Sequence, residues 1–224
     1  MTARQIVAIG GGPFEEHVRD YVLGLTGSRR PRVLWVGTAC AEDPQASLRI
    51  YDLYAGLAEV TRLEFFPWPP AGLRELVLEH DIVVVGGGNT VNMLAIWRAH
   101  GFDRVLREAW ESGVVLTGSS AGMICWFESG VTDSFGPQLA AIRDGLGFLP
   151  GSCCPHYDDE ELRRPVYRGL VDRSELPAGV AADAEVALHF VGTDLHAVVT
   201  SLTGKRAYRV EPGRETPLTA TLLS

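Results

Sequence analysis

The chain has 224 residues, 46% of them apolar, which suffices for a sizeable core in one domain spanning residues 1–224. Its 20 basic and 28 acidic residues give a formal net charge of −8, which argues against a nucleic-acid partner, because such proteins gather Lys and Arg on one face. No apolar run approaches the roughly 20 residues that cross a bilayer, and the opening MTARQIVAIGGG lacks the long apolar stretch of a secretion signal, so a cytoplasmic location without a membrane partner is expected.

In chain order, short β-branched runs alternate with helical patterns. Gln5–Ile9, Arg32–Val36, Thr61–Phe65, Asp81–Val85 and Val114–Thr117 read as strands. Pro13–Leu23, Pro44–Leu57, Ala71–Glu79 and Asn89–Trp110 carry apolar residues at helical spacing, the last broken at Gly101. This alternation predicts an α/β fold: three layers around a doubly wound, mostly parallel sheet. Beyond Gly130 the rhythm changes to a glycine-rich stretch, a charged helix near Asp159–Val171, and antiparallel strands at Val186–Phe190, Leu195–Thr200 and Ala207–Val210, expected to extend one sheet edge.

Three turns at strand ends stand out. Gly10-Gly11-Gly12-Pro13 after the first strand lacks the third glycine and the acidic partner of a dinucleotide fingerprint, so it reads as a structural turn. Gly86-Gly87-Gly88-Asn89-Thr90 after the fourth leaves backbone amides unshielded before a helix that Asn89 or Thr90 can cap. Gly118-Ser119-Ser120-Ala121-Gly122 after the fifth has the G-x-S-x-G form that sets a serine on a sharp strand-to-helix turn. In that form Ser120 is a candidate nucleophile, and the amide of Ala121 with that of Gly88, or its neighbour Gly87, is a candidate oxyanion hole.

A serine nucleophile needs a base. His17, His80 and His100 fall on helices or their ends, and His189 and His196 on strands. His156, stiffened by Pro155, lies in an irregular segment after the sheet and stands only slightly ahead of the others. The cysteines Cys40, Cys125, Cys153 and Cys154 lack paired metal-ligand spacing, so neither disulfides nor a metal site is expected.

Taken together and in this order, GGGNT (Gly86–Thr90), GSSAGMICWF (Gly118–Phe127) and CPHYD (Cys154–Asp158) resemble the peptidase E and cyanophycinase-like family of serine peptidases, along nearly the whole chain. The resemblance implies a flavodoxin-like or class I glutamine-amidotransferase-like fold with antiparallel C-terminal strands. It implies Ser120 as nucleophile and His156 as general base, acting on small peptides without metal or cofactor, and it is compatible with a homodimer. Peptidase E prefers dipeptides with an N-terminal aspartate, which makes Arg164, with Arg163 and Arg168 as alternatives, a candidate for substrate recognition beside Asn89. The family's late acidic position aligns with Ala184, leaving Asp183 first, Glu185 second and Asp133 third as the acid that would orient His156. That gap also opens the alternative of a catalytically weakened binding or regulatory homologue. An amidotransferase would need a cysteine on the turn, whereas Cys125 lies past it.

Overall fold

In the computed structural model, which describes residues 3–12 and 16–224, the β-branched runs form the parallel part of an eight-stranded sheet, reaching one of its edges. β1 (Gln5–Ile9), β2 (Arg32–Val36), β3 (Glu59–Leu63), β4 (Ile82–Val85) and β5 (Val115–Ser119) lie in the order β1-β5-β4-β2-β3, each parallel to its neighbour. β4 is buried throughout and reads Ile-Val-Val-Val without a polar residue, as a strand covered on both faces must. At the edge, β3 exposes Glu59 and Thr61.

Helices cover both faces. α1 (Glu16–Gly24) and α2 (Pro44–Tyr54) bury Val18, Val22, Ala46, Ile50 and Tyr54 against Val7, Val33, Trp35 and Val84. α3 (Leu73–Leu78), α4 (Thr90–Ala99) and α5 (Phe102–Ser112) cover the opposite side, over Ile6, Leu34, Val83 and Leu116. Successive residues of each strand thus serve two cores, which gives the expected three layers. Asp43 caps α2 by accepting from the amides of Gln45 and Ala46, and Pro44 occupies its first turn. The break between α4 and α5 falls at Gly101, whose φ of 70° suits glycine. Of the helix expected from Pro13, residues 13–15 lie outside the described residues.

Past β5 come α6 (Ala121–Ile124), β6 (Phe127–Thr132), β7 (Ala140–Ile142), β8 (Leu149–Cys154), α7 (Arg163–Asp172) and β9 (Gly179–Ala182), then β10 (Val186–Val191), β11 (Asp194–Thr200), β12 (Ala207–Glu211), β13 (Arg214–Leu218) and β14 (Thr221–Leu222). As expected, β10 and β11 extend the main sheet antiparallel, from β1. β12 corrects the expectation. It belongs to a second, mixed sheet ordered β13-β12-β9-β8-β6-β7. The sequence masks this sheet because its inner strands read FESGVT, LPGSCC and GVAA, where Gly, Ser, Pro and Cys replace the β-branched signal. One apolar cluster runs from the main sheet through Phe127, Leu149 and Cys153 into the second and joins the two. Cys154, on the other face of β8, packs instead with Tyr157, Tyr167 and Leu170.

Candidate active site

Because β1, β5 and β4 are parallel neighbours, their carboxyl ends bring the three glycine-bearing turns side by side. Ser120 sits between β5 and α6 at φ 58° and ψ −109°, a conformation that costs a non-glycine residue on the order of 1–3 kcal/mol. The turn holds it there through backbone contacts. The amide of Ser120 donates to Ile9 O at 3.1 Å, and its carbonyl accepts from the amides of Met123 and Ile124. A Cβ on Gly118 would come within 2.6 Å of Gly122 O, and one on Gly122 within 2.4 Å of Val85 O, so both flanking positions exclude a side chain. Ser119, by contrast, is buried and points its hydroxyl toward Gly12 O.

His156 arrives from the second sheet, just beyond β8. Its Nε2 lies 2.9 Å from Ser120 Oγ. The imidazole is held by its backbone and by its neighbours: the His156 amide donates to Gly10 O at 2.5 Å, the Tyr157 amide to Ala182 O, and Asp158 Oδ1 accepts from the Ala184 amide at 2.8 Å. The first glycine turn therefore does more than connect β1 to α1. A Cβ on Gly11 would lie 2.3 Å from His156 Cε1, so the absent side chain is the space the ring occupies. None of the other five histidines is found beside Ser120; His189, for example, bonds Tyr21 and Gln5.

The other ring nitrogen faces acids that the sequence reading passed over. His156 Nδ1 is 3.3 Å and 3.4 Å from the two carboxylate oxygens of Asp159 and 3.6 Å from Glu160 Oε1. The Glu160 amide donates to His156 O, closing an α-turn that carries both carboxylates under the ring. The spacing i+3 and i+4 in His156-Tyr157-Asp158-Asp159-Glu160 was the available signal. Glu160 is in turn fixed by buried Arg163, whose Nε donates to Glu160 Oε2 at 2.7 Å and whose Nη1 donates to Val131 O.

Asp183, expected to orient His156, is turned elsewhere. Its Oδ2 accepts from the Arg206 amide at 2.9 Å, and its buried Oδ1 has no hydrogen-bond partner among the described residues. Burial raises its carboxyl above the usual aspartate range. This segment supports the histidine loop through the backbone of Ala182 and Ala184 rather than through a carboxylate. Glu185, at φ 67°, packs against Gly12 and donates its amide to Gly11 O. Asp133 sits 3.8 Å from Arg163.

Arg164 and Asn89 also have structural partners. The Arg164 guanidinium is bound by Glu215 and lies over the rings of Tyr157 and Tyr208. Asn89 caps α4, accepting from the Asn92 amide at 2.8 Å, while its Nδ2 donates to Ser134 O. Of the two glycines weighed as oxyanion donors, Gly87 is the one beside Ser120; a Cβ on it would stand 3.2 Å from Ser120 Cβ. Gly88 packs instead on the 3-10 turn Thr38–Cys40, where a Cβ would meet Ala39 O at 2.2 Å. Ala121 opens α6, so its amide has no acceptor within the helix.

Ser120 and His156 open on a cavity of about 430 Å³ whose wall includes Gly87, Trp35 and one side of α2. A strained serine hydroxyl bonded to an imidazole with carboxylates behind it can form and break an ester.

Comparison with known proteins agrees with this chemistry. The family model for "Peptidase family S51" matches residues 6–198. An uncharacterized peptidase of Bacillus subtilis (strain 168), YgaJ, is 44% identical over 213 residues, covering 92% of each chain. Peptidase E of Shewanella denitrificans is 24% identical over 154 residues, 67% of this chain and 64% of that protein. Two crystal structures share the fold: a peptidase from an acI-B1 Actinobacterium, with TM-score 0.72 and 19% identity over 97% of this chain and 95% of that one, and a putative peptidase E from Listeria monocytogenes EGD-e, with TM-score 0.67 and 16% identity over 87% and 98%. With 193 consecutive positions matched from strand β1 to β11, the chain belongs to peptidase family S51 and is a serine-type peptidase.

Proposed function

We propose that this peptidase hydrolyses short peptides through an acyl-enzyme on Ser120, with His156 as general base and acid. The 2.9 Å contact between His156 Nε2 and Ser120 Oγ carries the reading. Neutral His156 takes the hydroxyl proton as Oγ attacks the scissile carbonyl, and the amides of Ala121 and Gly87 receive the developing oxyanion. The imidazolium then protonates the departing amine. Water, deprotonated by His156, releases the acyl group and restores the serine. Asp159 accepts from Nδ1–H and steadies the charged ring, with Glu160 behind it. The N-terminal-aspartate preference loses its expected anchor, since Arg164 is already bound by Glu215. The four free cysteines support a reducing, cytoplasmic setting.

Kinetics on a short peptide test this. Ser120→Ala should abolish hydrolysis with the unfolding temperature unchanged, because a half-exposed hydroxyl on a turn fills no core volume. His156→Ala should cost about 10²–10⁴ in kcat. Ser119→Ala should be mild, and a dead Ser119→Ala beside an active Ser120→Ala would overturn the assignment.

A further inference from the structure

The cavity beside Ser120 has a wall that proton transfer does not use. Its volume of about 430 Å³ falls in the range of small-ligand sites. The wall consists of Trp35, at the end of β2, together with Ala46, Ile50 and Leu53 of α2. The three helix residues follow a spacing of four and three, so they form one apolar stripe facing the site. The indole is brought close by Gly86, where a Cβ would meet the Trp35 ring at 2.6 Å. On the same helix, Arg49 is exposed and also lines the cavity. It makes no ion pair or side-chain hydrogen bond among the described residues, whereas Arg163 and Arg164 are both committed to carboxylates.

An apolar wall favours an apolar occupant, because desolvating a carboxylate against Trp35, Ile50 and Leu53 without a partner is costly. A single unpaired guanidinium at the rim supplies such a partner for one carboxylate nearby, in a geometry arginine is suited to. We propose that this cavity is the specificity pocket, that it holds a bulky apolar side chain next to the scissile bond, and that Arg49 pairs with a carboxylate of the same substrate. The substrate class is then short apolar peptides bearing a carboxylate. The proposal rests on the Ser120 peptidase reading above.

The test uses the full chain with Phe-Ala and Gly-Ala as free acids and as C-terminal amides, and Phe-Asp as its C-terminal amide. Phe-Ala should exceed Gly-Ala in kcat/KM by about 10-fold or more, as burial of an aromatic side chain predicts. Leu53→Trp, which fills the pocket, should shrink that lead. Arg49→Gln should collapse the preference for Phe-Ala over its amide, mainly through KM, if the recognised carboxylate is the peptide's C-terminus. If it is a side chain's, the preference that collapses is that of Phe-Asp amide over Phe-Ala amide. The proposal fails if Phe-Ala has no lead over Gly-Ala, or if Arg49→Gln leaves both preferences intact. Labelling of Ser120 by a fluorophosphonate with no peptide cleaved would sink the pocket assignment alone. Absence of labelling would sink the peptidase reading beneath it.

Discussion

At the scale of single residues, the site depends on atoms that are missing as much as on those present. Gly11 leaves room for the imidazole, and Gly118 and Gly122 let the Ser120 turn close. The orienting acid is where residue-level reading and geometry part. Asp183 is buried with one oxygen unsatisfied, while Asp159 and Glu160 lie under His156 Nδ1. Asp159→Asn should therefore lower kcat about 10-fold or more with little change in KM, less than loss of the base itself. Asp183→Asn should change kcat by no more than about 3-fold, since it removes a charge that the fold disfavours and leaves the ring's contacts intact. Steady-state kinetics on the two variants decide between them; an impaired Asp183→Asn beside an intact Asp159→Asn would restore the acid expected from sequence. Ser120 was legible from the G-x-S-x-G turn, whereas His156, which lies beside it, stood only slightly ahead of the other histidines on the residues alone and was singled out by the family resemblance. The acid was not legible, because the i+3 and i+4 spacing of Asp159 and Glu160 matters only where the chain closes an α-turn at His156, and the helical pattern expected there begins later, near Asp159.

Elements were legible where one strand or helix meets one environment. β1 and β2 match their expected limits residue for residue, and the other parallel strands differ by one or two positions, because burial on both faces demands unbroken apolar runs. The second sheet was not legible, since small residues carry no periodicity and its partners are distant in sequence. β10 carries a pH-sensitive element of its own. His189, buried on this strand, has its imidazole pushed down to about 4 by burial and by nearby His196. Its neutral tautomer accepts from Tyr21 O–H at Nδ1, 2.8 Å away, and donates from Nε2 to Gln5 Oε1. Above the ordinary histidine pKa of about 6.5, both folded and unfolded states are neutral and stability is intact. As pH falls from there toward about 4, the unfolded chain binds a proton that the fold refuses, and stability is lost. His189→Gln should flatten the fall in unfolding temperature between roughly pH 6.5 and 5. Parallel curves for the two proteins would show that His189 does not titrate this way.

For the whole molecule, the main sheet supplies Ser120 and the glycine turns, and the second sheet supplies His156 with its acids. No helix among the described residues is long and apolar enough to cross a membrane. The two sheets meet through a shared apolar cluster, so packing far from the cavity fixes the distance between hydroxyl and imidazole. Fluorophosphonate reactivity reads that distance most directly, because the probe reports an activated serine without requiring the right substrate. Digestion and mass spectrometry of the treated protein should find one adduct, on Ser120, lost in Ser120→Ala and strongly slowed in His156→Ala. An adduct on Ser119, or labelling that is indifferent to His156, would contradict the account.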